Sequence, residues 1–263
     1  YMEKWKQYVE RGLILGGIVV FVLCMVNLWQ SGSGPAESLD AMDTKIYEDS
    51  GETPLTEIKE TEAGRGPDKE TEAEAADDVK PKIALTFDDG PHPVFTPKLL
   101  DGLKERGVKA SFFVMGENIK GHEDIIKRMA DEGHVIGNHT YSHVNLNQLS
   151  AEKACGELAK TSDLVRKLTG KGTEYVRPPF GVWNDQLDCR ITMLPVMWNI
   201  DPLDWKTMNA STVTNRVVTK AKENAIILLH DYYQSSVDAA LQIVDQLQAK
   251  GYRFVTVEDI LLE

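Results

Sequence analysis

The stretch IALTFDDGPHP, residues 83–93, joins an apolar run to two aspartates and a Gly-Pro turn. A short apolar run closed by a turn reads as a buried strand. Asp88 and Asp89 then stand at its carboxyl end. Working outward, the same grammar recurs. Further strands are predicted at 110–115, 135–137, 174–177, 194–200, 225–229 and 253–257, with helices at 96–105, 117–132, 151–168, 211–223 and 235–249. In the last helix Val237, Leu241, Val244 and Leu247 recur at helical spacing and make one apolar face. Alternating strands and helices imply an α/β fold with a mainly parallel sheet, open or closed into a barrel. No internal repeat is visible.

The remainder of the 263 residues divides in two. Residues 12–29, GLILGGIVVFVLCMVNLW, are apolar apart from Asn27 and long enough to cross a bilayer as a helix. Lys4, Lys6 and Arg11 precede them, which leaves residues 1–11 in the cytoplasm and exports the chain beyond residue 30. A signal peptide cleaved near Ser31-Gly32-Ser33-Gly34 is the rival, and it too exports the domain. Residues 30–80 are rich in Glu, Asp, Thr, Gly and Pro and read as a disordered acidic tether. Of the net charge of −12, −10 falls within 31–80, so residues 81–263 carry only −3. That balance lacks the basic footprint of a nucleic-acid binder. Cys155 and Cys189 are candidates for a pair in an oxidising compartment, but spacing does not supply the geometry. Two buried thiols are the plainer expectation.

Polar clusters in 81–263 follow strand ends. Asp88-Asp89, His139 and His143, RPPFG at 177–181, Asp201 with Asp204-Trp205, and His230-Asp231 all sit this way. In parallel α/β barrels the loops at the carboxyl ends of strands build the active face, so these five clusters should converge. His139 and His143, four apart, fall on one face of a helical turn, about 6 Å apart along its axis. With Asp89 they form a two-histidine, one-carboxylate set that leaves coordination positions open, as at catalytic zinc sites. The bland alternative is two solvated loop histidines. Asp88 remains free to act as a general base. His230, ending an apolar strand, is either a core histidine or a general acid, with Asp204 the partner that raises its pKa. Arg177 is placed to hold Asp88 ionised, and Phe180 and Gly181 offer backbone N–H groups to an oxyanion. Trp205 and Leu228 suit an apolar slot for a methyl group, although Leu228 serves equally as core.

TFDDGPHP at 86–93, HTYSH at 139–143, RPPFG at 177–181, DPLDW at 201–205 and LLHD at 228–231 resemble, in order and spacing, the motif series of the NodB-homology polysaccharide deacetylases, carbohydrate esterase family four. The resemblance covers essentially all of 81–263. It implies a distorted, incomplete (β/α) barrel carrying a divalent metal, usually zinc. It implies Asp88 as base, Asp89, His139 and His143 as ligands, Arg177 steering Asp88, and the Phe180 N–H at the oxyanion. Asp204 would support the acid His230, with Trp205 and Leu228 framing the acetyl methyl. Phe180 departs from the tyrosine often found there, and the stretch from Gly181 to Leu194 leaves little room for a helix. The expected reaction is removal of N-acetyl groups from an amino-sugar polymer. An anchored domain favours peptidoglycan over xylan or chitin oligomers. A non-catalytic carbohydrate-binding wall protein is the reading from another class.

Overall fold

The protein is described by a computed structural model over residues 80–183, 187, 189 and 192–262. The predicted anchor at 12–29 and all but the last residue of the predicted tether lie outside the described residues. Among the described residues no helix is long and apolar enough to cross a membrane.

Strands β1 (Lys82–Asp88), β2 (Ser111–Val114), β3 (Val135–Asn138), β4 (Tyr175–Val176), β5 (Leu194–Pro195), β6 (Ala225–His230) and β7 (Arg253–Val255) form one parallel sheet. Its order is β5-β4-β3-β2-β1-β6, and β7 pairs with the first half of β1. The helices are α1 (Phe95–Glu105), α2 (Gly116–Ile119), α3 (Glu123–Asp131), α4 (Ala151–Thr169), α5 (Asp204–Thr207), α6 (Ala210–Lys220), α7 (Gln234–Ala249) and α8 (Val257–Leu261).

The predicted strand at 194–200 is where the sheet curls shut. Its first part pairs with β4, the Val196 N–H donating to the Val176 carbonyl at 2.8 Å. Its end pairs with the opposite edge, through an Ile200–Ile227 bridge and a 2.9 Å bond from the Leu228 N–H to the Ile200 carbonyl. One segment therefore spans both edges of the sheet, which makes a barrel with a frail closing wall.

Strand alternation sorts the side chains. In β1, Ile83, Leu85 and Phe87 pack under the helices, as do Ile227 and Leu229 of β6. Ala84 and Ile226 face the other way, into a second cluster with Phe113, Tyr175, Val196 and Val257. Continuing that second face by two-residue steps reaches Thr86 and Asp88 on β1 and Leu228 and His230 on β6. The periodicity that fills the core thus delivers two titratable groups to the barrel mouth.

Two helical expectations change. The helix predicted over 117–132 is two helices, α2 and α3, because Gly121 adopts the left-handed region (φ 85°) between them. His139 to His143 is not a helical turn at all: Thr140 (φ 64°) and His143 (φ 52°) are left-handed, and the segment loops out of β3. By contrast α4 ends as its composition suggests, with Ser150 capping its start and left-handed Gly170 its end. The cysteines also correct the plainer expectation. Cys155 of α4 and Cys189 are disulfide-bonded across 34 residues, tying the loop after RPPFG to α4.

Candidate active site

At the end of β1 the two aspartates part company. Asp88 completes the strand and stays inside the barrel, 3% exposed. Asp89 takes a left-handed backbone (φ 72°), so its carboxylate turns away toward β3. Its loop is held by the Asn118 side-chain amide, which donates to the Asp89 carbonyl at 2.8 Å, and by the Met115 N–H, which donates to the Gly90 carbonyl at 2.9 Å.

Asp89 meets both histidines. Its Oδ1 lies 3.4 Å from His139 Nε2 and 3.5 Å from His143 Nε2. The three ligand-type atoms fall within 4.8 Å of one another. Oδ1 is buried yet has no hydrogen-bond partner, a costly state for a carboxylate oxygen unless a cation completes it. His139 Nδ1 is 2.6 Å from the Arg177 carbonyl, which accepts its proton. That bond fixes the tautomer and leaves the Nε2 lone pair aimed at Asp89. Burial pushes the His143 imidazole below its usual pKa, and His139 and His230 add to the effect against Asp89 and Asp88. Burial alone would raise Asp89, but its closeness to His139, with the charges of His230 and His143, brings it below the usual carboxylate range. The donor set fits a small divalent cation bound by nitrogen and oxygen.

Arg177 is the strut of the barrel interior. Fully buried, it donates from Nη1 to Asp88 Oδ1 at 2.8 Å and to Thr86 Oγ1 at 2.6 Å. Nε and Nη2 donate to the carbonyls of Val196 (3.0 Å) and Met197 (3.3 Å). The guanidinium lies 4.2 Å from the Phe113 ring centroid. Burial draws its pKa down while Asp88 opposes the drop. The sequence pairing of Arg177 with Asp88 is met directly; Thr86, one turn of alternation below Asp88, was not foreseen.

Across the mouth stands His230, paired with Asp88 in register on the neighbouring strand. Its Nδ1 is 2.9 Å from Asp204 Oδ1, and its backbone N–H donates to Asp204 Oδ2 at the same distance. Ser236 Oγ donates to Asp204 Oδ2 at 2.6 Å. Burial works against the imidazolium, but the hydrogen bond and charge of Asp204, with Asp88 and Asp89 beyond, raise His230 to about 9. Ser236 carried no signal in the sequence, since a serine in the first turn of a helix is commonplace.

The remaining candidates separate. Phe180 is left-handed (φ 61°) and 66% exposed, with its ring edge-on to His143 at 4.9 Å. Gly181 drops out as a donor because its N–H is spent on the Pro178 carbonyl at 3.1 Å. Trp205 is half-exposed on α5 beside Asp204, and Leu228 is buried. Asp201 belongs to a turn instead of the site, accepting from the Leu203 N–H at 2.8 Å.

A parallel barrel whose mouth gathers Asp88, His230 and a three-residue cluster able to hold a cation has the layout of an α/β enzyme. Similarity to known proteins narrows the class. A family model described as polysaccharide deacetylase matches residues 75–194. The chain is 44% identical over 185 residues to a peptidoglycan-N-acetylglucosamine deacetylase of Bacillus cereus, covering 68% of this chain and 67% of that protein. It is 40% identical over 187 residues to the peptidoglycan-N-acetylmuramic acid deacetylase PdaC of Bacillus subtilis, but spans only 40% of that protein's length. The PdaC structure superposes with a TM-score of 0.67 over 69% of this chain and 90% of that one. A family 4 acetyl xylan esterase from Clostridium thermocellum, solved with a cobalt ion, gives 0.65 at 31% identity over 69% and 90%. The chain belongs to the polysaccharide deacetylase family, hydrolases of non-peptide carbon–nitrogen bonds.

Proposed function

We propose that this chain removes N-acetyl groups from the amino sugars of peptidoglycan, releasing acetate. The observation that carries the reading is the register of Asp88 with His230 on adjacent strands, with the Asp89–His139–His143 cluster beside Asp88. The similarity to peptidoglycan deacetylases of Bacillus supports the substrate class.

Asp89, His139 and His143 would hold a divalent cation, zinc by donor type; when bound it supplies Lewis acidity toward the acetyl carbonyl and the attacking water. Asp88, held in place by Arg177, accepts the proton of that water at Oδ2, since Oδ1 is committed to Arg177. The Phe180 N–H donates to the developing oxyanion, a contact of a kind typically worth about 2.7–4 kcal/mol. His230, charged through Asp204, gives its Nε2 proton to the departing amine. Trp205 and Leu228 bound the apolar slot for the acetyl methyl. Residues 12–29 anchor the chain in the membrane and place the catalytic domain outside it. The Cys155–Cys189 disulfide supports an oxidising compartment.

The test is acetate release from peptidoglycan, chitin oligomers and acetylxylan by the full chain, with zinc and then with chelator. Asp88→Asn should abolish release while leaving the metal-to-protein ratio unchanged, and His139→Ala should lower that ratio and activity together. An active Asp88→Asn protein, or His139→Ala protein that still binds metal one-to-one, would overturn the assignment. Preferential release from acetylxylan would favour the esterase reading, which the likeness to the Clostridium enzyme supports.

A further inference from the structure

A second aromatic feature lies next to the mouth, contributed by residues that the acid–base site does not use. Beyond the Asp88–His230 pair, the two strands run on into His92 and Tyr232. The Tyr232 ring sits edge-on to His92, centroids 4.8 Å apart, and His92 stacks on Phe95 at 4.4 Å. The arrangement is held from below. The Val94 and Phe95 N–H groups donate to His92 Nδ1 at 3.1 and 3.2 Å, which fixes the imidazole plane. The His92 N–H donates to Thr96 Oγ1 at 2.7 Å, and the Thr96 hydroxyl in turn donates to the buried carboxyl of Asp231. Lys98 Nζ adds a 2.9 Å bond to Gln234 Oε1, joining α1 to α7. Tyr232 is therefore a rigidly backed aromatic that is still 43% exposed.

Position decides what it faces. Two residues reach at most about 7 Å, so Tyr232 lies within roughly one sugar ring of the general acid His230. A pyranose presents an apolar C–H face and a polar rim, which suits an aromatic surface carrying a hydroxyl. Because His92, itself stacked on Phe95, already holds the ring, little rotamer entropy remains to be lost on binding. Phe180 sits against the ligand histidine His143 and belongs to a different flank of the site.

We propose that Tyr232, backed by His92, is a stacking platform for a sugar ring neighbouring the one being deacetylated, so that it sets chain-length preference. The inference rests on the proposed deacetylase reading. Its test is the ratio of kcat/KM for a chitin tetrasaccharide to that for the disaccharide, measured by acetate release with the metal-loaded full chain. Tyr232→Ala should lower that ratio by roughly three- to tenfold, the range of one aromatic packing contact. Tyr232→Phe, which keeps the ring, should preserve it, and His92→Ala should fall between. An unchanged ratio in Tyr232→Ala, or an equal loss in Tyr232→Phe, would overturn the platform. Absence of acetate release from peptidoglycan and from both oligomers by the wild-type chain would instead overturn the deacetylase reading, and the platform with it.

Discussion

Arg177→Met should destabilise the fold more than any exposed substitution, and the structure says by how much. The side chain is wholly buried and ends four donor bonds, on Asp88, Thr86, Val196 and Met197. Methionine fills comparable volume but donates none of them. Two carbonyls lose a side-chain donor, and Asp88 is left as a buried carboxylate without its counter-charge. Removing one partner of a buried pair typically costs about 3–5 kcal/mol. For a domain of this size each kcal/mol lowers Tm by about 2–4 °C, so a fall of about 6–20 °C is expected. Arg177→Lys keeps the charge, but one ammonium does not reproduce the planar fork, and it should fall between. The decisive experiment is a double-mutant cycle with Asp88→Asn, read by thermal unfolding with chelator present so that metal loss does not contribute. If the ion pair carries the effect, the double variant is less destabilised than the sum of the singles by about 1–3 kcal/mol. A loss below about 3 °C in Arg177→Met, or strict additivity with Asp88→Asn, would refute the reasoning.

Two other consequences arise from single contacts. His230 is raised to about 9 by Asp204, so the stabilisation from its protonated form is complete below its ordinary value of 6.5 and is lost as pH rises through about 9. The stability gap between wild type and Asp204→Asn should therefore narrow by on the order of 3 kcal/mol from pH 6 to pH 10 in urea unfolding of chelated protein; a gap independent of pH would contradict it. Replacing Cys155 and Cys189 by serine opens a 34-residue closure and should cost about 2–4 kcal/mol. Thermal unfolding of the double serine variant checks this, and a Tm within about 2 °C of wild type would mean that the bond adds nothing to the fold.

The legible part of the molecule was the part governed by periodicity. β1 and β6 read cleanly because their alternation and their length agree, and the polar residue after each apolar run marks the barrel mouth. Site residues at strand ends inherited that clarity: Asp88, Asp89, Arg177 and His230 all stand where a parallel strand stops. The helical reading of His139–His143 failed because a spacing of four is compatible with a turn of helix and equally with a loop. Left-handed Thr140 and His143 achieve the same convergence, with ring centroids 5.0 Å apart. The break between α2 and α3 was visible in principle at Gly121, which an amphipathic pattern on either side obscured. Thr86 was available too, two residues before Asp88 on the same face. Ser236 and Tyr232 were not, and Cys155–Cys189 stood only as one of two alternatives, since each contact depends on segments brought together by the fold.

The central arginine also explains why this barrel holds its reactive groups so firmly. An all-apolar interior would be cheaper to bury, whereas a guanidinium must have its donors satisfied or the fold loses several kcal/mol. Here those donors engage β1 through Asp88 and Thr86 and the closing segment through Val196 and Met197. The Arg177 carbonyl, on the same residue, orients the candidate ligand His139. A single residue thus links the closing wall, the candidate base and a candidate metal ligand. Any displacement of the wall strains all three together, so substitutions along 194–200 should perturb metal affinity and turnover in parallel. Metal affinity unchanged in a variant such as Ile200→Ala, whose side chain is buried at the Ile200–Ile227 bridge, would show that the wall and the site are mechanically independent.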